Sequence, residues 1–215
     1  MNRFMNPGGA GGGASGPVLR EDYTTVNVDG ATETIALHAT AAAGDLAIIT
    51  GAVNYGPAQP VITGGTLIRK GANQAHCYLL GKILTGADIS NGTLLFTTPS
   101  ARGPAICNLF TGVSEIAVAN TISAQVSTGV AVAMPAPATT SSLLLFAWGS
   151  LSSPYQTGNT GDDLALAGTH ISSGGNISGV SLFWAYNTTG SAFSDQVPTE
   201  SGSYGFGVAA ELTIA

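Results

Sequence analysis

Charge is what this sequence has least of. Only 8% of its 215 residues are Asp, Glu, Lys or Arg, against about 25% in an ordinary soluble domain. Contact with water must fall to Ser, Thr, Asn and Gln, and such a surface is typical of chains packed against neighbours. Cations are scarcer still. All six (Arg3, Arg20, Arg69, Lys70, Lys82 and Arg102) lie at or before Arg102. Nucleic-acid binding needs clustered cations that displace counterions from phosphates. The one adjacent pair, Arg69-Lys70, would point to opposite faces of a strand, so no nucleic-acid partner is expected.

Cysteine is nearly absent too. Cys77 and Cys107 form no CxxC, and the expectation is two small buried thiols in a protein made in a reducing cytoplasm. Met1 to Pro17 has no apolar h-region, so no signal peptide is expected. The longest apolar run, Leu143 to Trp148, is far shorter than the ~20 residues of a membrane helix, and no membrane insertion is expected.

Catalytic patterns are missing as well. The twelve carboxylates are scattered, and the adjacent pair Asp162-Asp163 would diverge on a strand, unlike a glycosidase dyad. Its surroundings are rich in Asp and Asn, but the DxDxDG spacing of a calcium loop is missing. His76 and Cys77 diverge as strand neighbours, which argues against a tetrahedral site completed by Cys107 with His38 or His170. There is no GxSxG elbow. Gly205 to Ala210 has a GxGxxA look without the helix a dinucleotide fold needs. No enzymatic activity, catalytic residue, metal or cofactor is expected.

What is present is a succession of short apolar stretches between turn signals. Leu46 to Val53 is apolar on both faces: Leu46, Ile48 and Ala52 point one way, Ala47, Ile49 and Val53 the other. It would open an α/β sheet only if a helix followed, and Gly56-Pro57-Ala58-Gln59-Pro60 forbids one. Glu115 to Val126 and Tyr204 to Ile214 alternate with strand period. Asp29-Gly30 reads as a hairpin turn. Thr93–Thr98 and Ala105–Val113 read as two strands. Roughly a dozen strands with frequent turns predict an all-β fold, an antiparallel β-sandwich that is jelly-roll-like.

Two domains of unequal kind are expected. Residues 1–17, MNRFMNPGGAGGGASGP, form a Gly-rich extended arm that cannot offset its ordering entropy alone. Its head, Arg3, Phe4, Met5, Asn6 and Pro7, is the candidate anchor, threading onto a neighbouring subunit. Residues 18–215 form the sandwich. Among aromatics near strand ends, Trp148 and Trp184 lie in apolar runs and should fill the core. Tyr155 is the best exposed, and with Asn159, Asp162 and Asp163 it is the candidate surface for recognition, of a host surface glycan for example.

The order of motifs then becomes informative. Gly44-Asp45-Leu46-Ala47-Ile48-Ile49 opens a strand, and Gly65-Thr66-Leu67-Ile68-Arg69-Lys70-Gly71 follows a Gly-rich turn. Cys77 to Asp88 is similar to a "vyyrvatGsE" strand-and-turn. Ala105 to Val113 is similar to an "ailaYrGv" strand, with Phe110-Thr111 in place of Tyr-Arg. A Pro-rich break at Pro135 and Pro137 precedes Ser142 to Ala147. The series, from Gly44 to Trp148, resembles sandwich domains of tailed-bacteriophage virions, related to jelly-roll and lectin-like folds. The resemblance implies a non-enzymatic virion structural protein assembled in the host cytoplasm, a tail-tip or tail-fibre component. A capsid decoration (cement) protein and a carbohydrate-binding module are the alternatives. Implied partners are a homo-oligomer, most simply a trimer, and a tail hub or major capsid protein.

Overall fold

In a computed structural model of the chain, the described residues are 16–54, 59–71, 75–126, 132–134, 138, 141–150, 164–171, 179–188 and 205–214. They form two antiparallel sheets, as the alternation predicts. The first holds β1 (Val18–Ala36), β2 (Leu46–Asn54), β3 (Val61–Ile62), β4 (Thr66–Lys70), β5 (Ala75–Ile83) and β6 (Thr93–Thr111). Its order is β1-β6-β2-β5-β4, with β3 also on β6. The second holds β7 (Ala117–Val126), β8 (Ser142–Ser150), β9 (Ala165–Ile171), β10 (Gly179–Asn187) and β11 (Gly205–Thr213), in the order β7-β11-β8-β10-β9. Each sheet comes from one part of the chain, and the two pack face to face as a sandwich.

Two long strands shape the first sheet. The Asp29-Gly30 pair is not a hairpin turn. Gly30 is not among the glycines with positive φ, which a type I′ turn demands. Instead Asp29 lies opposite Arg102 and Gly30 opposite Ala101, and β1 runs on to Ala36. The expected strands Thr93–Thr98 and Ala105–Val113 are likewise one strand, β6. The β1–β6 ribbon bends where its register shifts between Gly30 and Thr32. Extra residues on one side of a ladder bend it there, and Thr98 Oγ1 clamps the bend by donating to Gly30 O at 3.1 Å. Beyond the bend the ribbon folds back over the sheet. Ile62 pairs with Phe96, β3 comes beside β4 and β5, and the sheet nearly closes into a barrel.

The bend explains the two-sided strand. Ala47, Ile49 and Val53 join Ile35, Ile62, Leu80, Leu94, Phe96 and Leu109 inside the curl. Leu46, Ile48 and Ala52 face the second sheet, among Leu79, Ile106, Phe110, Leu143, Leu145, Leu182, Val208 and Leu212. A third apolar layer lies on the outer face of the second sheet, where Leu144, Phe146, Trp148, Phe183 and Ala209 are covered by Val132, Met134 and Leu164. Full burial of each large side chain stabilises by about 1.5–3 kcal/mol, and three stacked layers hold many of them.

Glycines sit where layers touch. A side chain on Gly51 would overlap the Tyr78 ring, and one on Gly205 the Trp148 ring. A Cβ on Gly149 would stand 2.5 Å from that of Ala52, across the two sheets. The sheets are also joined by side chains. Arg69 of edge strand β4 donates to Ser123 of edge strand β7 at 2.9 Å. At the other edge His170 Nε2 and Asn27 Oδ1 are 2.9 Å apart. Beside it, Asn108 Nδ2 of β6 donates to Ala167 O of the same edge strand, β9, at 2.9 Å. Gly149→Val should therefore lower stability by about 3 kcal/mol, the upper end of overpacking costs. Urea unfolding measures it. Ala52→Gly in the same chain should recover part of the loss, and a purely additive double mutant would contradict this contact.

Candidate functional site

The most elaborate polar cluster closes one end of the curled sheet. Thr85 caps helix α1 (Gly86–Asn91) in a capping box with Asp88. A Thr three residues before an acceptor side chain satisfies two orphan N–H groups reciprocally. Asp88 Oδ2 accepts from Thr85 N at 2.9 Å and Thr85 Oγ1 at 2.8 Å. Its Oδ1 accepts from Lys82 Nζ at 2.7 Å, with both side chains 11% exposed. Lys82 extends from β5 with Tyr78 and Leu80, beneath the Gly64-Gly65 turn. Burial pushes the Asp88 carboxyl up, but the hydrogen bonds from Lys82 and Thr85 outweigh it and hold the group below its ordinary 3.8. The cluster holds a largely buried ion pair.

Other charged groups are engaged in the same way. Arg20, lifted out by the β1 irregularity between Leu19 and Tyr23, grips Asp45 with Nε at 2.8 Å and Nη2 at 3.0 Å. Asp45 also accepts from Ala42 N at 2.8 Å, which fixes the turn before β2. Glu211, buried on the outer face of β11, accepts from Ala138 N and from Asn120 Nδ2 at 3.2 Å. Each carboxylate secures a loop to a sheet. His170 is partly buried, which lowers its pKa, and it serves the edge contact with Asn27.

The cysteines lie on opposite faces of one sheet. Cys77 packs between the sheets and Cys107 inside the curl. Both thiols are free and buried. Burial pushes Cys77 up, and Cys107 up to about 12. The expectation of two unbridged buried thiols holds. Among the described residues no three His, Cys, Asp or Glu side chains are grouped as a metal site would require.

The anchor candidates Arg3, Phe4, Met5, Asn6 and Pro7 lie outside the described residues, as do Tyr155, Asn159, Asp162 and Asp163. Trp148 is core, stacked at 6.5 Å on Phe146. Trp184 packs against the inter-sheet core, edge-on to Phe110 at 5.6 Å. Sequence reasoning missed α1 and its ion pair, reading Thr85 to Asp88 as a turn. The T-x-x-D spacing was the available signal.

Compared with protein-family models, curated proteins and solved structures, the chain matches none.

The remaining candidate is a surface. Where the β1–β6 ribbon folds back, its outer face carries Thr32, Thr34, Ala36, Thr93, Leu95 and Thr97, joined by Val61 and Thr63 of the β3 hairpin, all exposed. Val61 is 54% and Leu95 44% exposed. No residue of this face is charged, so it can meet another protein surface without desolvating an ion.

Two measurements check these assignments. Asp88→Asn should cost about 3 kcal/mol near neutral pH, since it leaves Lys82 buried without a counter-charge. A carboxyl held below its ordinary pKa stabilises fully above that value and loses its contribution as pH falls through the folded pKa. The gap between wild type and variant in urea should thus be constant above about pH 5 and shrink below pH 4; a pH-independent gap would contradict the ion pair. A thiol reagent at pH 8 should label neither cysteine in the native protein and both in denaturant, because the thiolate is the reacting form.

Proposed function

We propose that this chain is a non-enzymatic structural protein of a tailed-phage-like particle, a tail-tip or tail-fibre component held by its N-terminal arm. The observation that carries the reading is the uncharged Thr/Val/Leu face of the β1–β6 ribbon, together with a chain whose buried charges are used to fasten loops to sheets. Both suit a module that packs among neighbours. The resemblance between Gly44 and Trp148 supports the same reading, because that span supplies β2 to β8, most of both cores. Partners under this reading are further copies, most simply in a trimer, and a hub protein of the particle. A capsid decoration protein would use the same face and arm on another mount.

The test is deletion of residues 1–15 in the full chain, followed by quantitative mass spectrometry of purified particles. The deletion should remove the protein from particles while circular dichroism and thermal unfolding of the free protein stay unchanged. Undiminished incorporation would overturn the anchoring role. Hydrolysis of any member of a polysaccharide panel by the purified protein would overturn the non-enzymatic assignment.

A further inference from the structure

The second sheet ends on β7, which has β11 on one side and no strand of the sheet on the other. The direction of its backbone groups follows from one bond. Ile214 N donates to Ser141 O at 3.1 Å. Successive residues of an antiparallel strand bond alternately to either side. The even-numbered residues of β11 therefore bond toward β8 and the odd-numbered ones toward β7. Odd-numbered Ala209 and Glu211 stand opposite Ile122 and Asn120. The N–H and C=O groups of Thr121 and Ser123 thus point away from the sheet, along its edge. No backbone or side-chain group among the described residues bonds to them.

Sheet edges are ordinarily guarded by charge, proline or irregularity. The β1 edge follows that rule. Asp29 N donates to Glu33 Oε1 at 2.9 Å, and Ala36 O accepts from Thr24 Oγ1. Edge strand β4 carries Arg69 and Lys70. Strand β7, AVANTISAQV, has neither charge nor proline. Its one guard is the irregularity between Val118 and Asn120, and Val118 is 40% exposed. A row of outward backbone groups is complemented by an extended strand.

Two lone charges say which strand. Arg20, Lys82 and Arg102 each have a carboxylate partner. Arg69 has none among the described residues. Its Nη2 donates to Ser123 Oγ at 2.9 Å, and its Nε is buried without a hydrogen-bond partner. Exposed Glu115, just ahead of β7, likewise has no ion pair among the described residues. An unpaired anion therefore precedes β7 and an unpaired cation lies toward its far end, at Ser123. A second β7 laid parallel would set like charges side by side. Laid antiparallel, it sets unlike charges together, at both ends of the contact.

We propose that two copies of this chain pair edge to edge through β7, antiparallel about a two-fold axis, with Glu115 of one copy beside Arg69 of the other. The contact joins two five-stranded sheets into one. This inference goes beyond the particle reading and does not rest on it. A two-fold contact closes on itself, so a trimer would use a different surface.

Analytical ultracentrifugation of the full chain over a concentration series tests this. It should show a monomer–dimer equilibrium that weakens with salt, because the charge pairs are near the surface. Thr121→Pro removes an outward N–H, a change that edge strands tolerate. It should raise the dissociation constant roughly tenfold or more and leave the unfolding temperature of the dilute monomer unchanged. Glu115→Arg should weaken the dimer, and Arg69→Glu in the same chain should restore it. Hydrogen exchange needs no variant. The amides of Thr121 and Ser123 should slow as concentration rises, while those of Asn120 and Ile122, bonded to β11, stay slow throughout. A monomer at every concentration overturns the second copy as occupant. A dimer that neither Thr121→Pro nor Glu115→Arg weakens overturns β7 as the interface. Sensitivity to Thr121→Pro with Glu115→Arg neutral overturns the antiparallel alignment.

Discussion

The structure depends on a sheet that is buried on both faces. Strand β2 has no solvent side: one face looks into the curl of its own sheet and the other onto the second sheet. A sheet in that position must be covered twice, and both covers come from this chain. The bent β1–β6 ribbon supplies one and β7 to β11 supply the other. Close approach of three apolar layers then dictates small residues at the crossings. Gly51 admits Tyr78, Gly149 admits Ala52, and Gly205 admits Trp148. The same constraint explains the scarcity of charge, since few positions see water on the inner strands and an unpaired ion there would be costly.

This constraint also sorts the polar groups that are buried. Lys82 with Asp88, Arg20 with Asp45, and Glu211 with Asn120 and Ala138 all lie where a loop or helix meets a sheet. A buried ion pair adds little net stability over an apolar pair, but breaking one leaves an uncompensated charge. Such pairs therefore fix where a loop sits more than they strengthen the whole. The capping box at Thr85 and Asp88 illustrates this, because one carboxylate both starts α1 and neutralises the lysine beneath it.

Period-two alternation was legible in the sequence and carried the fold class; in β11 it puts Phe206, Val208, Ala210 and Leu212 on one face, which lies between the sheets. What the sequence concealed was where strands continue. Asp29-Gly30 has the composition of a type I′ turn, yet the tertiary partner decides. Arg102 stands opposite Asp29 with Nε 2.7 Å from its carboxylate, and the ladder extends through the turn signal. Pro99 and Pro104 interrupt the pattern of β6 in the same deceptive way, although β1 pairs with that strand along most of its length. Local propensity of a few tenths to one kcal/mol is readily outweighed by such pairing and burial. Apolar residues on both faces of β2 call for a cover on each side, but one of those covers, the chain's own ribbon, depends on a bend that no local pattern announces.

The functional reading follows from where polar chemistry is absent as well as where it is used. A site that binds or transforms a small molecule gathers polar groups around a concavity. Here Arg20, Asp45, Lys82, Asp88 and Glu211 fasten loops, and the outer face of the ribbon beyond its bend is threonine, alanine, valine and leucine. Such a face is neutral, and covering it would desolvate no ion. The ribbon, not the inner sheet, is therefore the part of the fold free to vary its contacts, since Thr34 and Leu95 support no layer while Ile35 and Leu94 beside them fill one. Alternation along a single ribbon thereby separates the residues that hold the molecule together from those that can meet its neighbours.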